Sequence, residues 1–368
     1  MNIRVLLLSD ASNPHTMRWG RALTQRGLKV SIFSFQRPRD MAFWDKLKVE
    51  VKHPTFLESK FFAHFPYLKK LGYPFAIFDL LKTLIIQRPD IVHAHHASSY
   101  GLLGALAAYK PYFISVWGSD VFEFPMKSTL LRKVLEFNLS RANRIFSTSW
   151  IMKQQTSKFT NKGIEVIPFG VDLNHFVKRR EGDNGIFKIG IIKSLEEKYG
   201  IQFLIEAFSL VKKEFQNMPL QLLIVGSGSY EENLKQKALD RGVANEVHFL
   251  GRVSIDQVPN YHNLLDIAVY PSICEESFGV AVIESSACEV PVIVTRRGGL
   301  TEVVEEDVTG LVVESNNAEA IANALKKLIS DPDLRMRLGK AGRSKVIKLY
   351  NWDENVSAMI KNYESFVN

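Results

Sequence analysis

Short apolar runs rich in Val, Ile and Leu alternate with longer helical patterns along the whole chain. In the first half the apolar runs fall at 3–8, 29–35, 91–94, 112–116, 144–148 and 164–167. Helical spacing fills the gaps, as at 14–26, 74–87, 100–109 and 130–140, with Gly27 placed to end the first helix. The second half keeps the rhythm, with runs at 187–192, 220–225, 246–250, 266–270, 291–294 and 311–313. Its helical patterns lie at 201–215, 230–241, 280–288 and 318–329. Strands joined by crossover helices pair in parallel, so this order predicts βαβ units and an α/β fold. The halves share architecture only; no short sequence repeat links them.

At about 150 residues per domain, 368 residues predict two domains. The expected division is an N-terminal Rossmann-like domain at 1–170, a polar, glycine-containing linker at 171–185 and a second such domain at 186–350. Two doubly wound domains facing each other across a cleft would bind ligand at the strand C-terminal ends. Charge also separates the halves. Residues 1–180 hold 27 Lys/Arg and 12 Asp/Glu, a net +15, while residues 181–368 hold 20 and 27, a net −7. The basic half is suited to an anionic partner, or else its charges merely solvate it. Cys274 and Cys288 alone make no disulfide framework and fit a reducing compartment; no His or Cys cluster beside them suggests zinc. The longest apolar stretches, such as 101–108, fall far short of the ~20 residues of a membrane span, and Asp10 interrupts the apolar start, which argues against a signal peptide.

The strongest chemical signal runs from Tyr270 to Glu284, where a buried strand ends, a loop carries Glu275 and Glu276, and a helix starts near Gly279. Such a loop aims backbone N–H groups from a helix N-terminus, a ready anion site, and Gly279 permits close backbone approach. A diphosphate on the N–H groups and sugar hydroxyls on Glu276 and Glu284 would suit this spacing. Glu276 as a simple helix cap suits it equally.

The run PSICEESFGVAVIE, Pro271 to Glu284, resembles the Glu-x7-Glu signature of retaining glycosyltransferases of family 4. Ile224 to Lys235, His248 to Ser272 and the loop Gly298–Glu302 are similar to the same family. The likeness is dense from Lys188 to about Gly310 and looser in DIVHAHHASSYG (Asp90 to Gly101) and SVWGSD (Ser115 to Asp120). The resemblance implies a GT-B fold and a sugar transferase that needs no metal and no cofactor, only a nucleotide-sugar as co-substrate. By family pattern Glu276 holds the donor sugar, the backbone of Phe278, Gly279 and Val280 meets sugar and diphosphate, and Glu284 holds the ribose. Gly226 lines the nucleotide, with Arg252 and Val253 near the base. Lys193 and Lys198 would neutralise the leaving diphosphate. The family more often carries Arg at the place of Lys193, a change from a fork to a point charge. The final helix, within 351–368, is expected to cross back to the first domain.

The acceptor is expected in the first half. Relatives often carry paired glycines after the first strand; here that loop has none, so Ser12, Asn13 and His15 would offer side-chain hydrogen bonds, although His15 could equally be a structural histidine at a helix end. Trp117 stands where a histidine is common; it can stack on a sugar but cannot move a proton, and the alternative to the ligand role is core packing. Asp120 could take an acceptor hydroxyl. Of the three histidines 93, 95 and 96, the first two share a strand face, which disfavours a metal site and leaves His95 as the ligand-facing member.

Residues 56–78 combine eight aromatics with Lys60, Lys69 and Lys70. That composition suits an anionic membrane surface, or a loop folded over its own domain. These observations converge on a retaining transferase that moves sugar from a UDP-sugar to a glycan or lipid-linked acceptor for cell-surface polysaccharide or glycolipid. It would be cytoplasmic and peripheral on the inner face of the cell membrane. The alternatives are a GT-B nucleotide-sugar epimerase or hydrolase, and a non-catalytic polyanion-binding protein. No nucleic-acid-reading motif is present, so nucleic acid is not an expected partner.

Overall fold

The computed structural model describes residues 3–58, 72–179 and 185–367. Its chain divides into two compact units, Met1–Pro168 with Glu354–Asn368, and Phe169–Asp353. Residues 171–179, expected in a linker, are tied to the second unit. Val171 bridges to Asn351, Lys178 pairs with Glu289, and the Arg179 N–H donates to Asn263.

The first unit holds a seven-stranded sheet: β1 Arg4–Leu8, β2 Lys29–Phe33, β3 Glu50–Lys52, β4 Ile91–His95, β5 Tyr112–Val116, β6 Arg144–Ser147 and β7 Ile164–Val166. Its order is β3-β2-β1-β4-β5-β6-β7, with every pairing parallel. Helices cover both faces of such a sheet, which is why its central strands read as continuous apolar runs. One core gathers Leu6, Leu8, Val92, Ala94 and Ile114 from the strands with Leu80, Leu84, Leu103 and Leu139 from helices. The first helix, Pro14–Gln25, starts where Asn13 accepts from the His15 N–H and Pro14 supplies a preset φ. It ends before Gly27, whose φ of +87° supplies the left-handed exit.

The second unit holds β8 Phe187–Ile192, β9 Leu220–Val225, β10 Val247–Gly251, β11 Ile267–Tyr270, β12 Val292–Thr295 and β13 Gly310–Val313. They form a parallel sheet in the order β10-β9-β8-β11-β12-β13. In each sheet the order reverses direction once, between β1 and β4 and between β8 and β11. Ligands of open parallel sheets bind beyond the carboxyl ends of the strands flanking that reversal.

Short helices Met41–Lys46, Trp150–Ser157 and Val258–Asn263 escape the sequence pattern, as do one strand and one long helix. β3 is a three-residue edge strand whose polar ends hide its period. Helix Pro332–Leu349 has little apolar bias, but Asp331 caps it and Pro332 opens it. Helix Trp352–Val367 follows; Tyr363 on it is fully buried in the first unit, its hydroxyl 2.7 Å from His93 Nδ1.

Candidate active site

In the second unit, the loops after β8 and β11 meet at the reversal point. Lys193 directly follows β8 and its Nζ lies 2.7 Å from Glu276 Oε1. The Ser272 hydroxyl donates to the same oxygen at 2.7 Å. Burial alone would lower the Lys193 ammonium, but the Glu276 charge and hydrogen bond outweigh it and hold the pKa above the ordinary range. Burial likewise works to raise Glu276, and Lys193, Ser272 and Lys198 together bring it below the usual carboxylate range. The pair is therefore ionised at neutral pH. Glu276 Oε1 accepts from Lys193 and Ser272, and the N-cap of helix Val280–Ala287 is Gly279, which has no side chain to cap it. The N–H groups of a helix's first turn suit an anion.

Lys198 sits in the short turn Glu197–Tyr199, and its carbonyl accepts the N–H groups of Ile273 and Cys274. Lys193 and Lys198 flank the Tyr199 ring, at 4.3 and 5.5 Å from its centroid. Glycines let these loops touch. A Cβ at Gly226, where φ is +145°, would collide with the Lys193 carbonyl. A Cβ at Gly298 would collide with the Glu276 carbonyl, and the Gly299 N–H donates to that same carbonyl at 2.7 Å. Tyr199, Ser272 and the contact of the Gly298–Gly299 loop were not assigned from sequence; for Ser272 the signals were its place at the end of a buried strand and inside the run that carries Glu276.

Glu284 lies on helix Val280–Ala287, with an oxygen 3.6 Å from Nε2 of the fully buried His262. The other His262 nitrogen bonds Ser285, which bonds Tyr270. Phe278 is buried against Phe169 and Tyr350, so only its backbone is available to a ligand. Arg252 and Val253 follow β10, Arg252 exposed and Val253 half-buried.

The expected acceptor residues gather in the first unit, beyond β1, β4 and β5, at its own reversal point. His95 and Trp117 pack with centroids 4.6 Å apart, and His15 meets Trp117 edge-on at 5.9 Å. His95 is buried; burial pushes its pKa well below the ordinary value, and its Nδ1 has no hydrogen-bond partner. His96 is the more exposed histidine, turned out by a φ of +89° and bonded to Ser98. Asp120 departs from expectation. It is fully buried, and its carboxylate accepts the N–H groups of Ala97, Trp117 and Gly118. It holds the β4 and β5 loops together instead of presenting a free oxygen. Ser12 and Asn13 also have local partners: Ser12 accepts from Arg39 N–H and Asn13 caps the first helix. Of the expected membrane segment 56–78, residues 59–71 lie outside the described residues.

Two family models match the chain head to tail: Glycosyl transferase 4-like over residues 4–149 and Glycosyl transferases group 1 over residues 176–345. The chain belongs to the group 1 glycosyltransferases. This glycosyltransferase is 28% identical over 308 residues to an uncharacterized glycosyltransferase of Methanocaldococcus jannaschii, covering 81% of this chain and 83% of that one. It is 31% identical over 205 residues to a GDP-mannose-dependent alpha-(1-6)-phosphatidylinositol monomannoside mannosyltransferase of Mycobacterium tuberculosis, about half of each chain at 52% and 53%. The fold is GT-B. The crystal structure of Anabaena HepE in complex with UDP aligns over 99% of this chain and 100% of its own, with TM-score 0.83 and 18% identity. Sucrose-phosphate synthase of Thermosynechococcus elongatus aligns over 99% and 98%, with TM-score 0.80 and 21% identity.

Proposed function

We propose that this glycosyltransferase is a retaining, metal-independent enzyme that moves a sugar from a nucleoside-diphosphate sugar, with UDP as carrier, to a hydroxyl of a glycan or lipid-linked acceptor. Its place would be the building of cell-surface polysaccharide or glycolipid. The observation that carries the reading is the Lys193–Glu276 ion pair beside the uncapped helix that starts at Val280. A carboxylate for sugar hydroxyls, ammonium groups for a diphosphate and open backbone N–H groups are what a donor of that class requires.

In the reaction the bond from the anomeric carbon to the diphosphate oxygen breaks. An acceptor oxygen bonds to the same face of that carbon. The acceptor proton passes to the departing diphosphate oxygen. Lys193, Lys198 and the N–H groups of the Gly279–Val280 turn stabilise the negative charge that builds on the diphosphate. Glu276 and Glu284 orient the sugar and the ribose. The His95–Trp117 surface offers an aromatic face for the acceptor. Neutral His95 behind it keeps a buried nitrogen, Nδ1, without a hydrogen-bond partner.

The experiment is a thermal-shift titration against UDP, GDP and their sugars. A ligand of the folded state raises the apparent melting temperature by mass action. GDP stands beside UDP because the mycobacterial relative is named for GDP-mannose. Stabilisation by UDP-sugars, lost in Lys198→Ala, is the expected result. Stabilisation by GDP alone overturns the carrier. Turnover of the donor without acceptor favours an epimerase or hydrolase, and salt-sensitive polyanion binding without nucleotide binding overturns the enzymatic reading.

A further inference from the structure

Helix Ile77–Gln87 buries Leu80 and Leu84 in the core of the first unit, yet its outer face is not polar. Phe78 is 70% and Ile85 71% exposed, Leu81 and Ile86 are exposed beside them, and Phe75 is exposed in the turn just before. Lys82 is exposed at the middle of this outward stripe, and the half-buried Asp79 lies at its edge beside Ile86. A surface helix ordinarily sets charged residues opposite its core face, and a contiguous apolar patch at that place marks an interaction surface.

We infer that this face rests on an anionic lipid surface, with the helix lying in the headgroup plane. At eleven residues the helix is too short to span a bilayer, and among the described residues no helix is long and apolar enough to cross one. Apolar residues around a central lysine, followed by the exposed Arg88, have the chemistry of an interfacial helix. The charge of its unit agrees in sign, since residues 1–168 with 354–368 hold 25 Lys/Arg and 13 Asp/Glu, a net +12. A second copy docked on the same face would bring like charge against Lys82 at the centre of the contact, whereas anionic headgroups neutralise it.

The face is also connected to the candidate acceptor residues. Tyr73, in the turn that precedes the helix, stacks on Phe35 at 4.0 Å. Next to Phe35, the Ser34 hydroxyl accepts the Ala11 N–H of the loop that carries Ser12 and Asn13. A lipid-borne hydroxyl would thus arrive beside that loop; this last step rests on the function proposed above, whereas the docking itself does not.

Co-sedimentation of the full chain with phosphatidylcholine vesicles, with and without phosphatidylglycerol, tests the inference. Wild-type protein should bind the anionic vesicles and release as salt rises. The double variant Phe78→Asp, Ile85→Asp should lower the partition coefficient by about tenfold or more, because two side chains lose their apolar burial. Lys82→Glu should weaken binding to anionic vesicles and leave the weak binding to neutral ones unchanged. Nucleotide-induced thermal stabilisation, read on the same variants, reports whether they fold and whether the donor reading holds, independently of lipid. Equal sedimentation of wild-type and doubly substituted protein overturns the inference. So does a dimer in light scattering that the double variant dissolves, since a second copy would then cover the face.

Discussion

Lys193 and Glu276, 83 residues apart in sequence, share a 2.7 Å ion pair at the carboxyl ends of two neighbouring strands. Each is largely enclosed, and each holds the other in its charged form. Without ligand they neutralise one another. In the reaction proposed above, a bound donor would give each a separate partner, diphosphate for the ammonium and sugar hydroxyls for the carboxylate. The pairing keeps two buried charges satisfied in the meantime, which avoids the large cost of a lone buried ion.

Replacing Glu276 with Gln tests the carboxylate without emptying the site. The amide oxygen can still accept from Lys193 and Ser272, but the Lys193 ammonium loses its buried counter-charge, so the melting temperature should fall while the protein still folds. Turnover should fall by about 100-fold or more, the scale of loss when a group that orients the reacting sugar no longer holds it in place. Near wild-type kcat in Glu276→Gln, measured with saturating donor, would remove Glu276 from the reaction.

The lysine at 193 makes a different prediction. Lys193→Met removes the charge and leaves Glu276 buried without its cation, so both donor affinity and stability should drop. Lys193→Arg restores a cation with a two-pronged fork and should recover most of the activity. Isothermal titration with UDP on the three proteins distinguishes the cases. Equal affinity in the Met variant would show that the diphosphate is held elsewhere.

Gly226 answers for the geometry behind the lysine. Its φ of +145° and the collision of any Cβ with the Lys193 carbonyl mean that Gly226→Ala must displace the end of β8. We expect a loss of at least about 2 kcal/mol from backbone strain alone, read as a lower urea midpoint, with a raised KM for the donor. An unchanged midpoint would mean that the loop accommodates a side chain there.

The alternation of apolar runs and helical spacing made the parallel α/β units and most strand positions legible in the sequence, because strands covered on both faces are apolar throughout. The position of Lys193 just after β8, and of Glu276 in the loop after β11, was legible from the apolar runs that end before them. Strand order was not, and it is strand order that brings β8 beside β11. Tyr199 and Ser272 stayed hidden for that reason: their importance comes from neighbours distant in sequence. Asp120 misled because an acidic residue after a strand resembles a ligand group, whereas three N–H groups of the surrounding loops consume it. His95 and His96 could be assigned to opposite faces by strand period, but the backbone reversal at His96, not the period, decides which one is exposed.

Buried histidines give the first unit an acid-sensitive core. His93 is fully buried, with Nδ1 against the Tyr363 hydroxyl and Nε2 against the Ser115 hydroxyl, an arrangement a neutral ring satisfies with one donor and one acceptor. Burial lowers its pKa to about 3 from an ordinary 6.5. His95 beside it is lowered well below the same value, by burial and then by the charges of His93, His15 and His96. For a base whose folded pKa is depressed, the unfolded chain binds more protons between the two values. Stability is therefore fully present above about pH 6.5 and falls as pH drops towards 3, by about 1.4 kcal/mol per pH unit for each such histidine. Carboxylates such as Asp90 and Glu276, held below their usual range, add a loss of the same sign at lower pH. The window from pH 6.5 to 5 isolates the histidines. Urea unfolding across it should show His93→Gln, which keeps partners for Tyr363 and Ser115, losing one proton's worth of the wild-type slope. Parallel slopes in the two proteins would mean that His93 takes up its proton equally in the folded and unfolded chain, and that the buried network with Tyr363 opens before the unit unfolds.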